Sequence, residues 1–305
     1  NTIAKINAGI SDNFLLSSIL AARCPVVVVP TMDEDMYNNK ATQRNINALK
    51  NDGYRILDPV SGELASGIYG IGKMPEPEEI FEFVKEQFYE KDLKGKKILV
   101  TAGPTRQSID AVRYLSNYSS GKMGFEIARA AYLRGAEVVL ITGPSALQHR
   151  KGVTRVDVET GDEMLDAVKK NMKGIKAAIM SAAVSDFKPK TVRDNKMKKE
   201  ETGKEFQLEL VKTTDILGYL GKNKKGFKLV GFALETDNGI ENAKKKLKNK
   251  NLDMVVLNNP KVEGAGFGTD TNIATLIDKA SVKELEKMTK FELANEILDR
   301  VFVKR

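Results

Sequence analysis

Residues 97–124 read KILVTAGPTRQSIDAVRYLSNYSSGKMG. The run opens on an apolar, β-type stretch, Ile98-Leu99-Val100, and breaks at Gly103-Pro104. A long polar loop follows, and a helix is predicted to begin near Ser120-Gly121. Strand, loop and helix N-terminus in that order make a nucleotide or phosphate site in an open α/β sheet. The loop carries Arg106, Asp110, Arg113, Asn117 and Lys122, more polar chemistry than a connector needs. The helix start itself reads two ways. Its glycines and free N–H groups can cradle an anion, or an N-cap serine and close-packing glycines can merely begin a helix. Neither the P-loop spacing nor G-x-G-x-x-G is present.

Outward from this stretch the pattern alternates. Strands are predicted at 97–101, 137–142, 177–181, 229–233 and 254–257, with helices at 121–134, 161–172, 214–223 and 238–250. Repeated β-α-β with apolar strands implies a parallel sheet with helices on both faces. A hairpin over 273–286 and a helix over 290–303 close the chain. Between Phe187 and Leu208 periodicity stops in a charged loop, whose lysine-rich makeup favours mobility. Before residue 90, helices are expected at 12–23, 43–51 and 75–88 and strands at 26–29 and 54–57, Val26 to Val29 reading as buried on both faces. Cys24, beside that run, is expected in the core. A charged segment ending in Gly95 marks the boundary between domains 1–93 and 94–305.

Of the 305 residues, 41% are hydrophobic and 30% charged. No apolar run approaches the ~18–20 residues a membrane span requires, and no signal segment opens the chain. The opening NTIAKI reads as the inside of an element, so the start of the natural protein is expected to be missing. One cysteine excludes an internal disulfide and fits a reducing cytosol. With a single histidine, a His/Cys metal site is disfavoured. Residues 1–95 hold 10 Lys/Arg against 14 Asp/Glu, whereas the remainder holds 39 against 27. That basic part suits anionic ligands, although runs such as Lys244-Lys245-Lys246 read as solvated helix faces. Trp is absent and aromatics are not interleaved with the charge, so nucleic-acid binding is disfavoured.

Two further segments fall at predicted strand ends, where open α/β sheets bind ligands. In Ser181-Ala-Ala-Val-Ser-Asp186-Phe187, small residues leave room and Asp186 offers a carboxylate, or else simply caps a turn. Leu229-Val-Gly-Phe-Ala-Leu-Glu235-Thr236 carries a carboxylate in an apolar setting, or else begins a helix cap. Lys196, on the charged loop, either closes over phosphates or lies solvated.

Together, TAGPTRQSIDAVRYLSNYSSGKMG, SAAVSDFKPK, NKMKK, LVKTTDIL, LVGFALET, KKLKNKNLDMVVLN and GFGTDTNIATLID resemble a known family in order and spacing. It is the phosphopantothenate–cysteine ligase domain of bifunctional coenzyme A biosynthesis proteins, and the resemblance covers 96–305. It implies a Rossmann-like doubly wound sheet and a CTP-dependent ligation of 4′-phosphopantothenate to cysteine through an acyl-cytidylate. Mg²⁺ would ride on the triphosphate, with no side-chain metal ligands. By motif position, Asn117 would hold the acyl-cytidylate for attack by cysteine, and Arg113 and Ala183 would lie at the phosphopantothenate. Asp186, Lys196, Ser120, Gly121, Phe187 and Phe232 would contact the nucleotide. The resemblance also implies ligase-domain dimers.

Residues 1–93 resemble the C-terminal part of a flavodoxin-like, FMN-dependent decarboxylase domain, the usual upstream partner, whose flavin domains form trimers. Asn1, Thr2, Ser17 and Ser18 match flavin-contacting positions. Two positions depart from the family pattern. Asp33 stands where the family has asparagine, in Pro30-Thr-Met-Asp33. Ser66 stands where it has the cysteine that protonates an ene-thiol, in Ala65-Ser66-Gly67. An alcohol is a far poorer acid than a thiol of pKa ~8.5, and an ionised Asp33 would repel a substrate carboxylate. For 1–93 an interaction or assembly module without catalysis is therefore the alternative.

Overall fold

The computed structural model describes residues 1–149, 152–198, 206–235, 237–258, 266 and 268–302. Thr236, Phe267 and the middle of the charged loop, 199–205, lie outside the described residues. The chain divides into two compact units, 1–90 and 91–305.

In the first unit, α1 (Thr2–Asn7) and α2 (Phe14–Leu20) precede β1 (Val27–Val28), α3 (Glu34–Asn38), α4 (Lys40–Asn51) and β2 (Arg55–Ile56). A hairpin of β3 (Val60–Glu63) and β4 (Tyr69–Lys73) and the helix α5 (Pro77–Glu86) follow. Pro77 and two acids fill the first turn of α5, the composition helix starts favour. Leu16, Ile46, Leu49 and Leu64 are buried in this unit. Two expectations fail here. Among the described residues β1 pairs only with β2, in parallel, and its valines are half-buried rather than enclosed. α4 packs on this two-stranded sheet at β2, and the valines of the other strand stay partly exposed. Cys24 accordingly sits on an exposed approach to β1, outside the core. The β3–β4 hairpin has no counterpart in the sequence reading.

The second unit is an eight-stranded sheet, its order β17-β16-β14-β13-β10-β5-β8-β9. The parallel strands are β5 (Lys97–Ala102), β8 (Glu137–Thr142), β9 (Thr154–Asp157), β10 (Ile175–Met180), β13 (Lys228–Leu234) and β14 (Met254–Asn258). In chain order these six lie 3-2-1-4-5-6 across the sheet, the doubly wound dinucleotide-fold arrangement, with its switch point between β5 and β10. β16 (Ala274–Asp278) and β17 (Val282–Glu284) extend one edge antiparallel.

Alternate side chains leave opposite faces of a strand, and the core divides accordingly. Ile98, Val100, Leu140 and Ile179 pack with α6 (Lys122–Leu133) and the final helix, α10 (Lys290–Phe302). Leu99, Val139, Ile141 and Ala178 pack with α7 (Gly161–Asn171), α8 (Ile216–Lys222) and α9 (Gly239–Asn249). Leu99, Val100 and Ile179 are 0% exposed, and each such side chain contributes about 1.5–3 kcal/mol of burial. Small pairs decorate the sheet ends: β6 (Arg106–Ser108) with β7 (Tyr114–Ser116), β11 (Phe187–Pro189) with β12 (Leu210–Lys212), and β15 (Thr271–Asn272) with β18 (Met288–Thr289). No helix among the described residues is long and apolar enough to cross a membrane.

Candidate active site at the switch point

Past Ala102 the chain leaves β5 through Gly103 and Pro104, and Pro104 bridges to Ala183 beyond the end of β10. The two strand exits are laced together. Ala183 N donates to Gly103 O at 2.9 Å, and Ser185 N donates to the Thr105 hydroxyl at 3.1 Å. The Asn117 amide donates to Ala183 O at 3.0 Å. Two of the predicted substrate-site residues, Asn117 and Ala183, are thus in direct contact.

What the sequence reads as one polar loop contains the β6–β7 hairpin, with Arg106 stacked on Tyr114 at 4.5 Å. At its tip the Asp110 carboxylate, 4% exposed, accepts from Val112 N, Arg113 N and the Arg113 guanidinium at 2.7–2.8 Å. It also accepts from Met197 N at 3.1 Å. Burial alone would raise the Asp110 pKa, but these backbone donors and the Arg113 charge outweigh it and hold the carboxyl below the usual range. Met197 is 4% exposed. A buried residue thus interrupts the run of lysines in the described part of the charged loop.

A cavity of about 550 Å³ opens at the C-terminal ends of β5, β10 and β13, lined by Thr101, Ala182, Val184, Asp186, Phe187 and Phe232. Lys212, Asp215, Lys246 and Lys250 complete the wall. Asp215 caps α8 by accepting from Gly218 N at 2.8 Å and pairs with Lys250. Burial pushes the Asp215 carboxyl up, yet the Lys250 ammonium and the Gly218 N–H bring it below the ordinary range. Lys246 donates to Phe232 O at 2.7 Å. Burial lowers its pKa, with help from the Lys250 charge and opposition from Glu235, Asp186 and Asp215. Glu235 in turn accepts from the Asn242 amide at 3.0 Å.

Asp186, Phe187 and Phe232 are therefore brought together, whereas Ser120, Gly121 and Lys196 do not line this cavity. Gly121, not a serine, is the N-cap of α6, at φ 82°, a conformation glycine adopts without strain. A Cβ there would sit 3.1 Å from Gly103 N, so the helix start abuts the β5 exit directly. Lys246 corrects the reading of Lys244-Lys245-Lys246 as a solvated face. Lys246 and Lys250 are a turn apart and flank the buried Ala243 and Leu247, so they fall on the inward side of α9. That i, i+4 spacing was the signal in the sequence. Among the described residues no group of three or more His, Cys, Asp or Glu could hold a metal ion.

In the first unit the Ser66 hydroxyl donates to the Asp33 carboxylate at 2.6 Å, so the two departures from the family pattern meet. Ser17 and Ser18 donate to the carbonyls of Asn13 and Phe14 in their own helix. The Asn1 side chain makes no cap bond to α1.

Residues 93–303 match the family described as DNA/pantothenate metabolism flavoprotein C-terminal domain, and residues 1–89 match the Flavoprotein family. The chain is 48% identical over 99% of its length to a cysteine/cysteine sulfinic acid decarboxylase of an unknown prokaryotic organism, covering 86% of that protein. It is 45% identical, again over 99% of its length, to the coenzyme A biosynthesis bifunctional protein CoaBC of Bacillus subtilis (strain 168), covering 75% of it. A crystal structure of the C-terminal domain of a CoaBC protein superposes with TM-score 0.60 at 43% identity, covering 70% of this chain and 96% of that one.

Proposed function

The chain belongs to the bifunctional coenzyme A biosynthesis family, and we propose that residues 94–305 ligate 4′-phosphopantothenate to cysteine at the expense of CTP. The observation that carries this reading is the cationic cavity beside the Asn117–Ala183 contact. Ala182 and Val184 line the cavity, and the residue between them accepts the Asn117 hydrogen bond. A nucleotide in the cavity would thus lie next to an acyl group held at Asn117. Lys212, Lys246 and Lys250 offer positive charge to a triphosphate, and Phe187 and Phe232 offer apolar faces to the nucleoside.

On this reading a carboxylate oxygen of phosphopantothenate attacks the α-phosphorus of CTP and pyrophosphate leaves. The cysteine amine then attacks the acyl carbonyl carbon of the cytidylate, loses a proton, and expels CMP. Asn117 donates to the acyl oxygen as it gains negative charge in the second step. Arg113 holds the phosphopantothenate, Lys196 and the Ser120–Gly121 turn engage the phosphates, and Mg²⁺ enters on the triphosphate oxygens. We further propose a cytosolic homo-oligomer, its ligase units dimeric.

For unit 1 we propose a flavoprotein decarboxylase portion using FMN, with Asp33 and Ser66 at the family's substrate-facing positions. The Ser66–Asp33 hydrogen bond favours a second reading for this unit, an assembly module without decarboxylase activity.

The test is pyrophosphate release with phosphopantothenate, cysteine and CTP, repeated with ATP. Release with CTP is expected. No release with either nucleotide overturns the ligase reading, and release with ATP alone overturns the choice of nucleotide. Carbon dioxide release from phosphopantothenoylcysteine in the presence of FMN separates the two readings of unit 1.

A further inference from the structure

We infer that Asp110 is a positioning residue that registers the segment 193–198 against the β6–β7 hairpin and thereby sets Lys196 relative to Arg113. The inference rests on the ligase reading, which gives Arg113 the phosphopantothenate and Lys196 the nucleotide phosphates.

Asp110 Oδ1 accepts from Val112 N at 2.7 Å and Arg113 N at 2.8 Å, an Asx-type turn that an asparagine would make equally well. Only Oδ2 needs the carboxylate. It accepts from the Arg113 guanidinium at 2.8 Å and from Met197 N at 3.1 Å. The first partner is in the hairpin, and the second lies 87 residues further along the chain. An asparagine amide there would meet two donors with a third.

The segment is held at more than one point. Arg193 N donates to Ile109 O at 3.1 Å, and the Arg113 guanidinium lies 3.5 Å from Met197 O. The Met197 side chain is buried, while Lys196 beside it is exposed. One end of Lys196 is therefore anchored and its ammonium free to reach an anion. The Asp110 side chain itself is wholly covered and does not line the cavity, so it acts through its neighbours. Its depressed pKa keeps it ionised across the working range.

The experiment compares the full chain with Asp110→Asn, using limited trypsin digestion and ligase kinetics. Cleavage within 193–198 is expected to accelerate about tenfold or more. KM for nucleotide and for phosphopantothenate should rise together by about tenfold to a hundredfold, the range for losing hydrogen bonds to a charged group. Adding Lys196→Ala to Asp110→Asn should cost much less than it does in the wild-type chain, because the lysine is already misplaced. Asp92→Asn, which weakens a remote pair with Arg134, controls for stability. It should lower Tm while leaving 193–198 cleavage and both KM values unchanged.

Unchanged cleavage, faster cleavage with unchanged KM, or fully multiplicative effects of Asp110→Asn and Lys196→Ala would each overturn the positioning role. A wild-type chain that releases no pyrophosphate overturns the ligase reading instead, which separates the two failures.

Discussion

Asn117 is exposed, yet its amide is oriented by one hydrogen bond to Ala183. Asn117→Ala is expected to release pyrophosphate at a near-normal rate for the first turnover and to slow transfer to cysteine by about 10²–10³-fold. Rapid-quench measurement of both products checks it. Asp110 also sets a pH dependence. Its folded pKa lies below the ordinary value of about 4, so it contributes stability above that value and loses it as pH falls through the folded pKa. The urea midpoint of the wild-type chain should drop on acidification below about pH 4, and Asp110→Asn should drop less. Lys246 titrates the other way. Burial lowers its pKa, so nucleotide affinity should decline with rising pH before the ordinary lysine range of about 10.4 is reached. At neutral pH, Lys246→Ala should weaken nucleotide binding about tenfold, whereas the exposed Lys244→Ala should not, as calorimetry would show. None of these distinctions is readable from residue type, since three consecutive lysines differ only in which way the helix turns them.

At the scale of elements, α6 lies on β5 with little room. A Cβ at Gly124 would fall 2.5 Å from Ala102 Cβ and 2.9 Å from Thr101 O. Gly124→Ala must therefore move helix from strand, at a cost of about 1–3 kcal/mol, measurable as a lower urea midpoint. Because Thr101 lines the cavity, nucleotide affinity should fall with it. The long strands and helices of unit 2 were legible in the sequence because the strands, buried on both faces, read as continuous apolar runs, while the helices bury one face and repeat their apolar residues with period 3.6. The β6–β7 hairpin was not. Three-residue strands such as Arg106-Gln107-Ser108 have no apolar period, and they are held by backbone pairing and an Arg106–Tyr114 stack that only folding creates. β9 and the β3–β4 hairpin were missed for the same reason. Val26 to Val29 misled in the opposite sense, since an apolar run predicts burial only if another layer arrives to cover it.

For the whole molecule, residues 91–305 carry helices on both faces of one sheet and two complete apolar layers. This part expressed alone should fold cooperatively and retain pyrophosphate release, and aggregation or loss of turnover would contradict that. What the sequence by itself determined is the doubly wound α/β class, the polar loop that carries Asn117, the strand ends that carry Asp186 and Phe232, and the family resemblance. These depend on local periodicity and on motifs contiguous in the chain. The tertiary structure alone decided that Lys246 and Lys250 face the cavity, that Asp110 ties Arg113 to Met197, and that Ser66 meets Asp33. Each of those pairings joins atoms far apart along the chain or depends on the rotation of a helix against its sheet. Burial, which turns an ordinary charge into an anchor, exists only once the layers close.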